Sequence, residues 1–132
     1  MEEEMQAHVE TVQRLVDAAN ARDWDALISV CAADVTLIHP LHDRPYSGYE
    51  GVREFFVLSA DEAPDQFLHV DVLIRGGDVV ALEGRITATI DDDPVVTPCA
   101  FFFTLRGERV HQIRMYYDTA AFYAEEDDSF LE

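Results

Sequence analysis

The chain has 132 residues, with 27 Asp or Glu against nine Arg and no Lys, a formal net charge of −18, and 48% hydrophobic and 11% aromatic content. That length suits one domain spanning 1–132, and the apolar fraction can build a core without disulfides or a structural metal. The charge excludes the generic attraction to phosphate on which nucleic-acid binding depends, and the run Ala100-Phe101-Phe102-Phe103 falls far short of the roughly 20 apolar residues that cross a bilayer.

From residue 3 to 22 the apolar positions Met5, Val9, Val12, Leu15, Val16 and Ala19 recur every three or four residues, which predicts a long amphipathic helix. Asp23 caps a second helix whose buried stripe is Trp24, Leu27, Ile28 and Cys31, ending near Ala33. Residues 35–39 are β-branched and apolar, and Pro40 stops that strand. A loop over 41–48 leads into a third helix over 49–58, with Val52, Phe55, Phe56 and the following Ser59 inward. Beyond Pro64 the period changes to two. Strands are predicted over 66–74, 79–90, 95–105 and 109–118, joined by turns at 75–78, 91–94 and 106–108. The acidic segments 1–4 and 125–132 read as flexible, solvated tails. The expected fold class is α+β: three N-terminal helices on one face of a curved antiparallel sheet, which can enclose a pocket.

The acidic start Met1-Glu2-Glu3-Glu4 lacks the basic and apolar regions of an export signal, so a cytoplasmic protein is expected. Molar salt, with a Debye length of about 3 Å, would screen the self-repulsion of so many carboxylates. A GC-rich genome explains the missing Lys but not the acids. Cys31 and Cys99 lie in no CxxC pair and are expected as reduced, buried thiols.

Four stretches in this order carry a family resemblance: Ala21-Arg22-Asp23-Trp24-Asp25-Ala26-Leu27; Ala33-Asp34-Val35-Thr36-Leu37 with Pro40; Tyr46-Ser47-Gly48-Tyr49-Glu50-Gly51-Val52-Arg53-Glu54-Phe55-Phe56; and Val110-His111-Gln112-Ile113-Arg114-Met115-Tyr116-Tyr117-Asp118. Across nearly its whole length the chain resembles the nuclear transport factor 2-like superfamily, and within it the SnoaL-like and ketosteroid isomerase-like proteins. The resemblance implies a cone in which three N-terminal helices and a curved, mixed but mostly antiparallel sheet surround an internal apolar cavity, a homodimer through the sheet, and an apolar or aromatic small molecule as ligand. It leaves the reaction open, since the fold hosts isomerases, cyclases, dehydratases, hydrolases and binders. His39 stands where ketosteroid isomerases carry a carboxylate base, Leu15 replaces their oxyanion-hole tyrosine, and their second acidic donor is missing, which speaks against steroid isomerisation by that mechanism. Asp118 matches the acid/base aspartate of SnoaL-like polyketide cyclases.

Two residues are therefore candidate catalytic groups. Asp118 is either a proton-transfer carboxylate in an apolar pocket or a cap for the amides of Thr119 or Ala120. His39 is either a neutral base near physiological pH or a ligand of the following loop. Tyr117, Tyr116, Tyr46, Trp24 and His42 are the candidate substrate-binding residues. Strict alternation puts Gln112, Arg114, Tyr116 and Asp118 on one face and His111, Ile113, Met115 and Tyr117 on the other, and one row should line the cavity. His39, His42 and Asp43, with His69 or His111, lack the fixed spacing of a metal motif, so no metal is expected. His69 and Asp71 suggest a structural pair. No GxGxxG, GxxxxGK or GxSxG occurs, which argues against nucleotide cofactors and covalent catalysis and leaves general acid/base chemistry or plain binding.

Overall fold

The structure, a computed structural model, describes residues 2–122. Helix α1 (Glu2–Ala21) turns its buried stripe of Thr11, Val12, Leu15, Val16 and Ala18 toward the sheet. It stops at Arg22, whose φ of 60° sets a left-handed end; the Arg22 and Asp23 amides then bond the carbonyls of Ala19 and Ala18. Asp23 caps α2 (Trp24–Ser29) by accepting from the Ala26 amide at 3.2 Å. This helix is shorter than its apolar stripe suggests. Cys31 and Ala32 already belong to strand β1 (Cys31–Ile38), since Cys31 pairs with Val110 and Thr36 to Ile38 pair with Gln112 to Arg114, parallel, on the last strand.

A two-residue strand, β2 (Tyr46–Ser47), pairs with β1 inside the predicted loop. Helix α3 (Gly48–Glu62) runs four residues beyond Leu58 and follows β1 and β2, so the helices do not all precede the sheet. Then come β3 (Phe67–Gly76), β4 (Val79–Ile90), β5 (Asp93–Arg106) and β6 (Arg109–Tyr117), four antiparallel strands as the alternation predicts. The six-stranded mixed sheet has the order β2-β1-β6-β5-β4-β3 and is not closed into a barrel. The β4–β5 turn is tighter than expected. Asp91 and Asp92 both take positive φ, so Pro94 lies inside β5, opposite Thr89.

The core lies between helices and sheet, with Leu27, Leu37, Leu82, Phe103 and Ile113 completely enclosed. Two irregularities shape the sheet. β3 carries a bulge between Val70 and Val72, opposite Gly84, where a Cβ would stand 2.1 Å from the His69 carbonyl oxygen. A second shift, between Thr104 and Leu105, changes the phase of β6, so Val110 and Ile113 are both buried and His111 turns toward Asp34 at 4.0 Å. His111 therefore leaves the inward row that strict alternation assigns it. Glu3 and Glu4 are exposed on helix α1 rather than in a tail; residues 125–132 lie outside the described residues. Cys31 and Cys99 are buried free thiols, pushed up to about 12 and about 11 by burial. No helix among the described residues is long and apolar enough to cross a membrane.

Candidate functional site

Three adjoining chambers of about 70, 140 and 150 Å³ share Ser59 and Tyr117 in their walls. They lie between α3 and the inner face of the sheet. The first is mainly apolar: Phe101, Met115, Ile86 and Leu68 come from the sheet, Phe55 and Phe56 from α3, and Trp24 from the start of α2, its indole stacked 6.4 Å from Phe56. Two polar side chains of the α1 end fix this wall without opening it. The Asn20 amide donates to the Leu68 carbonyl and accepts the Leu68 N–H, while the Arg22 guanidinium donates to the carbonyls of Ala19, Asn20, Pro64 and Gln66.

The second chamber holds the polar pole. His39 continues the inward alternation of Val35 and Leu37 and is 4% exposed. The Leu41 N–H donates to its Nδ1 at 3.2 Å, and its Nε2 lies 2.6 Å from the Tyr117 hydroxyl. With Nδ1 accepting, the neutral ring carries its proton on Nε2 and donates it to Tyr117. Burial, with His42 adding, holds the imidazole down at about 4, so the ring is neutral at physiological pH. His42 lies on the rim, its Nδ1 2.7 Å from the Tyr46 hydroxyl. Burial raises the Tyr46 phenol, and the charges of Glu54 and Glu62 raise it further.

His39, His42, Tyr46 and Tyr117 thus line the second chamber, and Trp24 lines the first, which shares Tyr117. Tyr116 and Asp118 do not line it. Tyr116 is exposed on the outer face, 5.9 Å from Phe102. Asp118 follows the end of β6, is exposed, and accepts the Ala120 N–H at 3.0 Å as cap of a short 3₁₀ turn (Thr119–Ala121). The capping alternative describes its placement, and the turn sets Phe122 edge-on to Tyr117, 5.7 Å away. His69 bonds Thr87 and Asp71 bonds Arg85, so neither completes a cluster with His39. Among the described residues no group of three His, Cys, Asp or Glu stands where it could hold a metal.

Phe55 and Ser59 are expected as inward residues of the third helix but not as site residues, and Glu62 is not expected at all. The spacing of four and three puts the three on one helical face, a signal that ending the helix at Leu58 hides for Glu62.

Residues 12–113 match the family model described as SnoaL-like domain. The chain belongs to the SnoaL-like domain family. Solved structures agree with that fold. A protein with a ketosteroid isomerase-like fold from Catenulispora acidiphila, in complex with trimethylamine, is 22% identical with a TM-score of 0.80, covering 89% of this chain and 92% of its own. A candidate SnoaL-like polyketide cyclase from Jannaschia sp. CCS1 is 24% identical with a TM-score of 0.82, at 92% and 94% coverage. IdmH, a candidate polyketide cyclase from Streptomyces antibioticus, is 19% identical with a TM-score of 0.77, at 90% and 97%. At these identities the likeness of the SnoaL-like domain to each is one of fold.

Proposed function

We propose that this SnoaL-like domain binds a small apolar or aromatic molecule bearing a carbonyl or phenolic oxygen, and that His39 and Tyr117 are its polar anchor. The observation that carries this reading is the 2.6 Å contact between His39 Nε2 and Tyr117 Oη in the second chamber, with Tyr117 shared by the wall of the mainly apolar first chamber. A neutral imidazole whose Nδ1 is already occupied is a poor base and a good donor. The dyad suits polarisation of a carbonyl, or stabilisation of an enolate, by preorganised hydrogen bonds. That supports cofactor-free isomerase, cyclase or hydrolase chemistry more than proton abstraction by His39. In this reading Asp118 is a positioning residue, holding the turn that seats Phe122 against Tyr117.

The test is calorimetric titration of cyclic ketones and hydroxylated aromatics into the wild type, Tyr117→Phe and Asp118→Asn. Loss of roughly tenfold in affinity, about 1.4 kcal/mol, is expected for Tyr117→Phe and little change for Asp118→Asn. The reverse order would return the central role to Asp118.

A second reading, a homodimer through the sheet with or without catalysis, has its own support. Ile38, Arg114, Phe102, Ala81 and Ile74 form one cross-strand row on the outer face, and Tyr116, Ala100, Glu83 and Val72 the next. Ile38, Ile74, Tyr116 and Val72 are all exposed. Sedimentation of the wild type and Ile74→Arg tests it, with a monomeric wild type overturning it. The net charge of −18 further supports a cytoplasm of high salt as the working environment.

A further inference from the structure

We propose that the chamber walled by His39, His42, Tyr46, Phe55 and Tyr117 takes a small organic cation, an ammonium group with apolar substituents, and that Glu62 supplies the opposing charge. This rests on the small-molecule reading above and adds the ligand's charge to it.

The rings come first. Neighbouring centroids are 5.1 Å apart for His39–His42 and Tyr46–Phe55, 5.3 Å for His39–Phe55, and 5.4 Å for His42–Tyr46 and His39–Tyr117. Five aromatic side chains thus form an unbroken set around one chamber. Aromatic faces carry negative potential and attract a cation within about 6 Å of the centroid, most strongly where water is excluded.

Charge is the second observation. Glu62 is the charged side chain in the walls of this chamber and of the adjoining one toward Ile90 and Phe122. It lies on the last turn of α3, on the face of Phe55 and Ser59, so the helix delivers ring and carboxylate together. Arg22, the cation of the first chamber, directs its guanidinium to four backbone carbonyls. Burial holds the Tyr46 phenol above its ordinary range, and the charges of Glu54 and Glu62 add to that in the same direction.

The field of the whole molecule acts in the same direction. A net charge of −18 repels anions and concentrates cations, and clefts focus such fields. An anion in this chamber would be repelled by Glu62, whereas an alkylammonium is attracted both by that carboxylate and by the π systems of the lining rings.

Calorimetry on the full chain at fixed ionic strength tests the inference. Choline and trimethylphenylammonium are titrated against their neutral carbon isosteres, 3,3-dimethylbutan-1-ol and tert-butylbenzene, with cyclohexanone as a neutral carbonyl probe. At least one ammonium should bind roughly tenfold more tightly than its isostere, about 1.4 kcal/mol. Glu62→Gln should remove most of that preference while leaving the isostere's affinity and the melting temperature unchanged. Equal affinity of cation and isostere overturns the inference, as does a preference that survives Glu62→Gln. Binding of cyclohexanone with no ammonium bound also ends it, yet leaves the carbonyl-binding reading standing. Silence from every probe counts against both.

Discussion

His39 and Tyr117 are 78 positions apart in sequence, yet their polar atoms meet at 2.6 Å. The parallel pairing of β1 with β6 accounts for it: His39 follows the end of one strand, Tyr117 ends the other, and both side chains project inward. The imidazole gives its Nε2 proton to the phenol and takes the Leu41 amide at Nδ1, so both ring nitrogens are satisfied in the uncharged state. A second proton has no place there.

That arrangement makes stability depend on pH with a definite sign. Burial lowers His39 from its ordinary 6.5 to about 4, so between these values the unfolded chain binds the extra proton and the folded chain does not. Stability is therefore unaffected by His39 above about pH 6.5 and falls progressively as the pH drops toward 4, by up to about 3 kcal/mol. Urea unfolding of the wild type and His39→Gln at pH 7 and pH 5 should show a larger loss for the wild type. Equal losses would locate the acid sensitivity among the carboxylates instead.

Asp118→Ala removes the acceptor for the Ala120 amide and should cost about 0.5–1 kcal/mol, with Asp118→Asn near neutral. The effect should appear locally, as faster hydrogen exchange over residues 117–122. Protection unchanged in the alanine variant would mean that packing of Phe122, not the cap, holds the turn.

Gly84→Ala sets a methyl group 2.1 Å from the His69 carbonyl, a backbone atom that cannot step aside without breaking the β3–β4 ladder. We expect a loss of about 3 kcal/mol or more, or an insoluble product. A melting temperature within a few degrees of the wild type would show that the β3 bulge absorbs the added carbon.

The melting temperature should rise with KCl, steeply below about 0.5 M, as screening relieves repulsion among the 27 acidic residues. Ion pairs such as Arg53–Asp25 and Arg85–Asp71 are exposed and contribute little against that trend. A melting temperature independent of KCl contradicts the high-salt reading.

Periodicity reveals the fold because it records burial: the four long strands emerge where alternation begins, and Val12, Leu15 and Val16 of the predicted α1 stripe are buried, although His8, Thr11 and Ala18, which the apolar period does not single out, are buried with them. Boundaries set by pairing across the chain were less legible. Cys31 has helical spacing to Leu27 and Ile28, and only its partner Val110 makes it a strand residue. The same limit applied to the site. Inward alternation of Val35, Leu37 and His39 marks His39 locally, whereas Asp118 looks like a pocket carboxylate until the chain ends β6 one residue earlier. Glu62 was missed because the apolar stripe fades before the helix does.

The parallel contact between β1 and β6 also orders events in time. His39 lies in the first third of the chain and acquires its partner only when the final strand docks, a closure across most of the sequence that is costly in entropy and slow. A chain that stops short of β6 cannot bring Tyr117 against His39. On the proposed reading, binding competence therefore waits for β6, and any fragment ending before that strand should fail to bind the ligands proposed for the chain that contains it.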